Sequence, residues 1–446
     1  MRRSQRSGVL TGLAVAGAVA LSATPALAWG NDGGGNRDRH REHRGDPIEV
    51  VAEGLEGPFG LSSIHGRLLV AEQGSGPGTG RITVVNPRSG STRAVQEGLT
   101  NPAAVTEVDG RLAFVTSGAE VPDTTSVGDS TVFLTPRRWT GTPRAFADLK
   151  AYELENNPDG QLQFDPTTKA PLDSLSNPFD IVAQPGDSGR RYVMVADAGA
   201  NDVLSLDSRG RIRTFFVPPV ITTGACAGAP NNDPQHTGCD PVPTGLAYGP
   251  RNTLYVSTLT AEAPGEGRVY VLDARTGDVR RVITGLDAPT GIAVGDHGEI
   301  YVSEVIYGAP EGEGPPPPGF DPSSVGRIVR IDRHGTRSYA SVPMPIGLEF
   351  HHGRLYSTAW SLAGMFGMPG KGQVVKVNPW AFQRSQPTTT TTTTPASTTT
   401  TMMGTTTTTA GPTTTMGPTT TTTTSPPTTT STTSTTSSTT TTVVNT

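Results

Sequence analysis

No stretch beyond residue 28 is long and apolar enough to cross a membrane, which takes roughly 20 such residues, so the mature chain is expected to be free of one. No cysteine follows the small-x-small site at Ala26-Leu27-Ala28, which argues against a lipoprotein. Basic charge is also short. Taking the seven arginines and four carboxylates of residues 1–47 away from 35 basic and 40 acidic groups leaves a middle region near −8, which argues against a nucleic-acid surface. After Arg384 there is no charge and almost nothing apolar, so that end cannot build a core. Only 34% of residues are hydrophobic, whereas there are 54 Gly and 39 Pro, and this favours short strands and many turns over helices.

The two ends read as export and spacer. Arg2, Arg3 and Arg6 precede an apolar run from Val9 to Leu21 and the cleavage site before Trp29, the pattern of a secretory signal over 1–28. Residues 29–47 are Gly, Asn and mixed charge and read as a flexible leader; His40 and His43 among arginines make a weak metal tag. Residues 385–446 form a low-complexity tail of Thr with Pro, Ser and Gly, a composition typical of O-glycosylated stalks. The chain is expected outside the cytoplasm, secreted or associated with the cell wall.

Between the ends, over 48–384, one pattern recurs six times: a proline, a small or apolar strand, a glycine turn, a strand like LYVSE, then a strand like GRIxxVD. The prolines are Pro58, Pro102, Pro178, Pro243, Pro289 and Pro345, and the uninterrupted intervals match the roughly 40–50 residues of a propeller blade. Each copy supplies strands A, B and C, and most add a fourth, D. The sixth copy lacks D, while IEVVAEGL (48–55) is a spare D-like strand before the first A. The expected fold is an all-β six-bladed β-propeller in which 48–53 pairs beside 374–377 and closes the ring.

NPFDIVAQPGD, VMVADAGANDVLSLD, VPTGLAYGP with LYVSTLT, and AYELENNPDG resemble the ScyD/ScyE family, secreted propellers of the NHL-like class. The resemblance spans about 47–380, with AYELENNPDG (151–160) and VADAGAND (195–202) its most specific parts. It implies a six-bladed propeller outside the cytoplasm and brings no established catalytic residue with it.

Strand parity puts the A-B and C-D turns on one face and the B-C and D-A connections on the other. All long insertions (117–130, 149–176, 218–241, 305–326 and 361–371) fall on the second face, where binding usually sits. Five histidines, His65, His297, His334, His351 and His352, fall on the first, which leaves imidazole acid-base chemistry poorly supported. Cys226 and Cys239 lie in one loop and read as a disulfide. Asp148 is expected to cap a helix over about 149–156 whose Leu149, Tyr152 and Leu154 pack down on the ring as a lid over part of the channel.

Two functions compete. A metal-dependent hydrolase of the gluconolactonase type holds its metal with Glu and Asn or Asp at the starts of A strands. Glu56-Gly57-Pro58 resembles that class's opening, but the residues after the repeat prolines are Phe59, Ala103, Phe179, Thr244, Thr290 and Ile346, which assemble no oxygen cage. The favoured reading is a non-catalytic binding or scaffold propeller for a small molecule or cell-envelope component, monomeric, without nucleic acid or membrane insertion. At the ends of the B strands stand Glu72, Asp197 and Glu304, with Asp180 near an A-strand start. They are candidates for a channel-mouth site that takes Ca2+ or a cationic ligand. The competing expectation is that each acid bonds N–H groups of its own loop, as Asp197 could with the 199–201 turn.

Overall fold

A computed structural model describes residues 45–118, 129–172, 175–185, 192–310 and 317–384. The expected signal sequence, nearly all of the expected leader and the Thr-rich tail lie outside the described residues. Within them the chain forms six four-stranded antiparallel sheets. The first is Pro58–Ile64, Arg67–Glu72, Gly80–Val85 and Thr92–Leu99; the second is Pro102–Val108, Arg111–Thr116, Thr131–Leu134 and Arg144–Asp148. The third is Pro178–Ala183, Val193–Asp197, Asp202–Leu206 and Ile212–Phe216, and the fourth Pro243–Gly249, Thr253–Thr258, Gly267–Asp273 and Val279–Leu286. The fifth is Pro289–Val294, Ile300–Glu304, Arg327–Ile331 and Arg337–Ser341. The sixth takes Leu348–His351, Arg354–Ala359 and Gly372–Val377 from one end of the chain and its outer strand, Ile48–Leu55, from the other.

That closure joins the expected segments, with Ile48 opposite Val377 and Ala52 opposite Val374. It also reaches further back than Ile48. Asn378 donates to the carbonyls of Pro47 and Asp46, Trp380 Nε1 donates to the Gly45 carbonyl, and Lys376 pairs with Glu49 at 2.7 Å.

The recurring Pro and Gly of the repeat explain each other. Gly80 packs on Pro102 of the next blade, Gly267 on Pro289, Gly326 on Pro345 and Gly372 on Pro58, so tightly that a β-carbon at any of these glycines would collide with the proline ring. Adjacent blades meet edge to face at this point, and only a residue without a side chain permits the approach.

The B strands are buried almost throughout, as in Leu68, Leu69, Val70 and Ala71, because neighbouring sheets cover both faces. Each such Leu or Val contributes about 1.5–3 kcal/mol of burial. The D strands are the outer edges and carry charge there, for example Arg280 and Arg281, which discourages pairing with another chain. The C-D turns are structural as expected: Asp207, Asp273 and Asp332 accept backbone N–H groups of their own turns.

Candidate functional site

The inner strands bring one residue type together that composition alone does not reveal. Immediately after the repeat prolines, Phe59, Ala103, Phe179, Thr244, Thr290 and Ile346 are all buried. Phe59 and Phe179 belong to the first and third blades, which are not neighbours, yet their ring centroids are 4.6 Å apart. The two rings therefore meet past the inner strand of the second blade and make an apolar contact at the A-strand starts, on the insertion-bearing face.

One level deeper the inner strands touch so closely that Gly60, Gly245, Gly291 and Gly347 leave no room for a β-carbon. At this level the third blade has Asp180. Its Oδ1 accepts from Ile181 N, and its Oδ2 accepts from Leu246 N of the fourth blade at 2.8 Å. Asp180 thus ties two blades together. Comparable ties run from Ser62 Oγ to the Val105 carbonyl, from Ala183 N to Thr106 Oγ1, and from Thr358 Oγ1 to the Phe59 carbonyl.

Glu349, in the inner strand of the sixth blade, accepts from Ser63 Oγ at 2.6 Å. Its sequence position, four residues after the proline, is Ser62, Thr106, Val182, Ala247 and Ala293 in the other blades, so comparing that column would have isolated it. Both residues keep some exposed surface, but enough protein surrounds their carboxylates to strip much of their hydration. Desolvation pushes Asp180 up to about 6, opposed by the two N–H donors, and pushes Glu349 up to about 7, with the charge of Asp180 adding to the rise.

The B-strand acids are each engaged locally. Glu72 accepts from Glu56 N at 2.8 Å, from both Nε and Nη2 of Arg81, and from Thr83 Oγ1. Glu304 accepts from Asp287 N at 2.8 Å and pairs with the buried Arg327, which also reaches Asp287 at 3.0 Å and lies over the Tyr307 ring. Asp197 accepts from Ser176 Oγ at 2.6 Å, Asn177 N at 2.7 Å and Ala200 N at 3.3 Å. The common element is a backbone N–H one or two residues ahead of the repeat proline, because each acid sits opposite that proline in the ladder.

Burial pushes Asp197 up to about 6 against these donors, and raises Glu304 against the pull of Arg327. The four candidates do not gather on the axis: three lie a strand away from it, and Asp180 is spent between blades. Among the described residues, no group of three His, Cys, Asp or Glu side chains forms a ready metal cage.

The insertions above the third blade are built as one unit. Asp148 caps α1 (Leu149–Asn156), accepting from Ala151 N, and Asn157 ends it in the left-handed conformation. Leu149 is fully buried, and Tyr152 Oη bonds Thr214 in the outermost strand of the third blade at 3.0 Å. The expectation for Leu154 fails: it is 45% exposed, and Glu153 is buried in its place. The contact with Thr214 puts α1 on the third blade.

Cys226 and Cys239 are bonded as expected. Their loop is pinned to the segment after α1 through Gln161 Nε2 to Asp240 and Leu162 N to Asp233, and Asp233 also pairs within the loop with His236 Nδ1 at 2.7 Å. His351 and His352, their rings tilted against each other with centroids 3.9 Å apart, occupy an A-B turn on the opposite face.

No known family profile and no curated protein matches the chain. Among solved structures it is similar to regucalcin, a calcium-binding protein from Agrobacterium tumefaciens, at 14% identity, with 74% of this chain and 92% of that chain covered and a TM-score of 0.44. It is also similar to a gluconolactonase from Xanthomonas campestris, at 11% identity, 74% and 89% coverage and a TM-score of 0.44. A virginiamycin B lyase from Staphylococcus aureus is similar at 15% identity, 69% and 79% coverage and a TM-score of 0.39. Such distant likenesses assign no activity to this chain.

Proposed function

We propose that the chain is a secreted, non-catalytic binding propeller of the ScyD/ScyE type, taking a small molecule or cell-envelope component on its insertion-bearing face. The observation that carries this reading is the apolar contact of Phe59 and Phe179 at the A-strand starts, where a hydrolase of the gluconolactonase type would need oxygen ligands. The same face presents Leu154, Phe164, Met365 and Phe366 to solvent, apolar contacts suited to a ligand. AYELENNPDG and VADAGAND, the most specific parts of the resemblance, meet through Asn201 Nδ2 and Asp159 Oδ2 at 3.1 Å. A disulfide suits an oxidising compartment, and no described helix is long and apolar enough to cross a membrane.

The test is to incubate the secreted protein with the insoluble envelope of its culture and with a metabolite array, and separately with a panel of lactones and esters. Retention that is lost in a Leu154→Ser, Phe366→Ser double variant, without turnover of the panel, is expected. A hydrolase is the second reading, favoured by Glu349, a carboxyl tuned near neutrality beside Ser63. Turnover that disappears in Glu349→Gln would establish it and sink the first.

A further inference from the structure

The blades can be compared where the B strand hands over to C. There the ladder sets Glu72 opposite Arg81, Thr258 opposite Arg268 and Glu304 opposite Arg327. In the third blade it sets Asp197 opposite Asp202. The repeat supplies a guanidinium at this corner in three blades, and in two of them it meets an acid. The third blade keeps the acid and replaces the arginine with a second acid.

Asp202 has no exposed surface, and neither carboxylate oxygen has a hydrogen-bond partner. The charges acting on it come from Asp197, Glu153 and Asp159, and no base is among them. Asp197 is already engaged by Ser176, Asn177 and Ala200, and Asp159 accepts from Gln161 N and Asn201 Nδ2. A buried carboxylate in such company needs a counter-charge, and none acts on it among the described residues.

We propose that the seam between α1 and the third blade is a cation site for Ca2+, with Asp202 as its central ligand and Glu153 and Asp159 beside it. Calcium fits the chemistry, since it takes six to eight oxygen ligands in adaptable geometry, whereas Mg2+ demands a near-ideal octahedron. As they stand, no three His, Cys, Asp or Glu side chains among the described residues could hold an ion, so binding requires the acids to rotate toward it, with the shell completed by carbonyl oxygens and water. The site lies beneath α1, whose exposed Leu154 belongs to the proposed ligand face, but its ligands are the buried acids and not those apolar side chains, so either reading can fail alone.

The experiment titrates chelator-treated full-length protein with CaCl2 by calorimetry and follows its melting temperature. The wild type is expected to bind one Ca2+ per chain and to melt higher with it. Asp202→Asn should weaken binding by at least about tenfold, a loss no smaller than those seen for outer-shell partners, and remove the thermal response. If that variant does not fold, Glu153→Gln is read in its place and should weaken binding in the same direction. Failure of the wild type to bind Ca2+ overturns the proposal, as does unchanged binding in the folded Asp202→Asn variant. A variant that melts higher than calcium-free wild type, with no calcium response in either, also overturns it and leaves a proton shared among the acids.

Discussion

At the same corner of the same fold, the fifth blade puts Glu304 against Arg327 and the third puts Asp197 against Asp202. Both acids hold a backbone N–H one or two residues ahead of the repeat proline, so the brace is a property of the repeat. What balances the brace differs. In the fifth blade the counter-charge is covalent, from a buried arginine that the tyrosine rings flank. In the third it is absent among the described residues, and the α1 segment brings further acids, Glu153 and Asp159. A repeat thus preserves a backbone tie while one substitution across the ladder turns a closed ion pair into a vacancy for charge.

The contrast holds only while the ring is closed, so the largest effect should come from opening it. Deletion through Glu53 removes most of the outer strand of the sixth blade, and the truncated protein is expected to aggregate instead of melting cooperatively. Deletion ending at residue 44 should leave the melting temperature essentially unchanged, since the contacts of Gly45, Asp46 and Pro47 remain. Equal melting of the two truncations would refute the closure.

Next in size, Arg327→Met strands Glu304 as a buried unpaired charge and should cost about 3–5 kcal/mol in urea unfolding. Arg81 is one-third exposed, so Arg81→Met should cost only about 1 kcal/mol. A loss equal to that of Arg327→Met would show that burial does not set the scale of these braces.

The channel offers another acid with no base acting on it. Glu349 has a folded-state pKa raised from 4.5 to about 7, so the folded state holds its proton more tightly than the unfolded chain. Its contribution is therefore most favourable below about pH 4.5 and is lost as pH rises through 7. Wild type should lose roughly 2–3 kcal/mol more than Glu349→Gln between pH 5 and 8 in urea unfolding. Identical pH profiles would show that the carboxyl is solvated.

The smallest expected quantity is a coupling. Glu72 and Glu304 serve separate blades, so the losses in Glu72→Gln and Glu304→Gln should add within about 0.3–0.5 kcal/mol. Strong non-additivity would restore a shared site at the channel mouth.

Much of this was legible in the residues. Prolines and glycines at a steady spacing announced six blades, the missing sixth D strand and the spare IEVVAEGL announced the closure, and a lone cysteine pair in one loop announced its bond. The site was less so. The four acids were found as residues, but their convergence was inferred from blade position alone. Their bonding depends on which way each side chain turns at the end of a strand, and that is set by partners such as Arg81, Ser176 and Asp287 that are remote or unremarkable in sequence. Leu154 and Glu153 exchanged places for a similar reason: α1 has no clear apolar stripe, so the ground beneath it chose which residue to bury.

By itself the sequence determined what depends on local geometry and on repetition: strand boundaries, turns capped by Asp and Gly, the Gly–Pro seam between blades and the order in which the ring closes. Only the tertiary structure decided what depends on distance through space. It brought Phe59 to Phe179 across an intervening blade, set Glu349 within the field of Asp180, and left Asp202 facing three other acids. Periodicity is written along the chain, whereas a charge's partner is whichever group the fold delivers to it, and Coulomb's law reads only that separation.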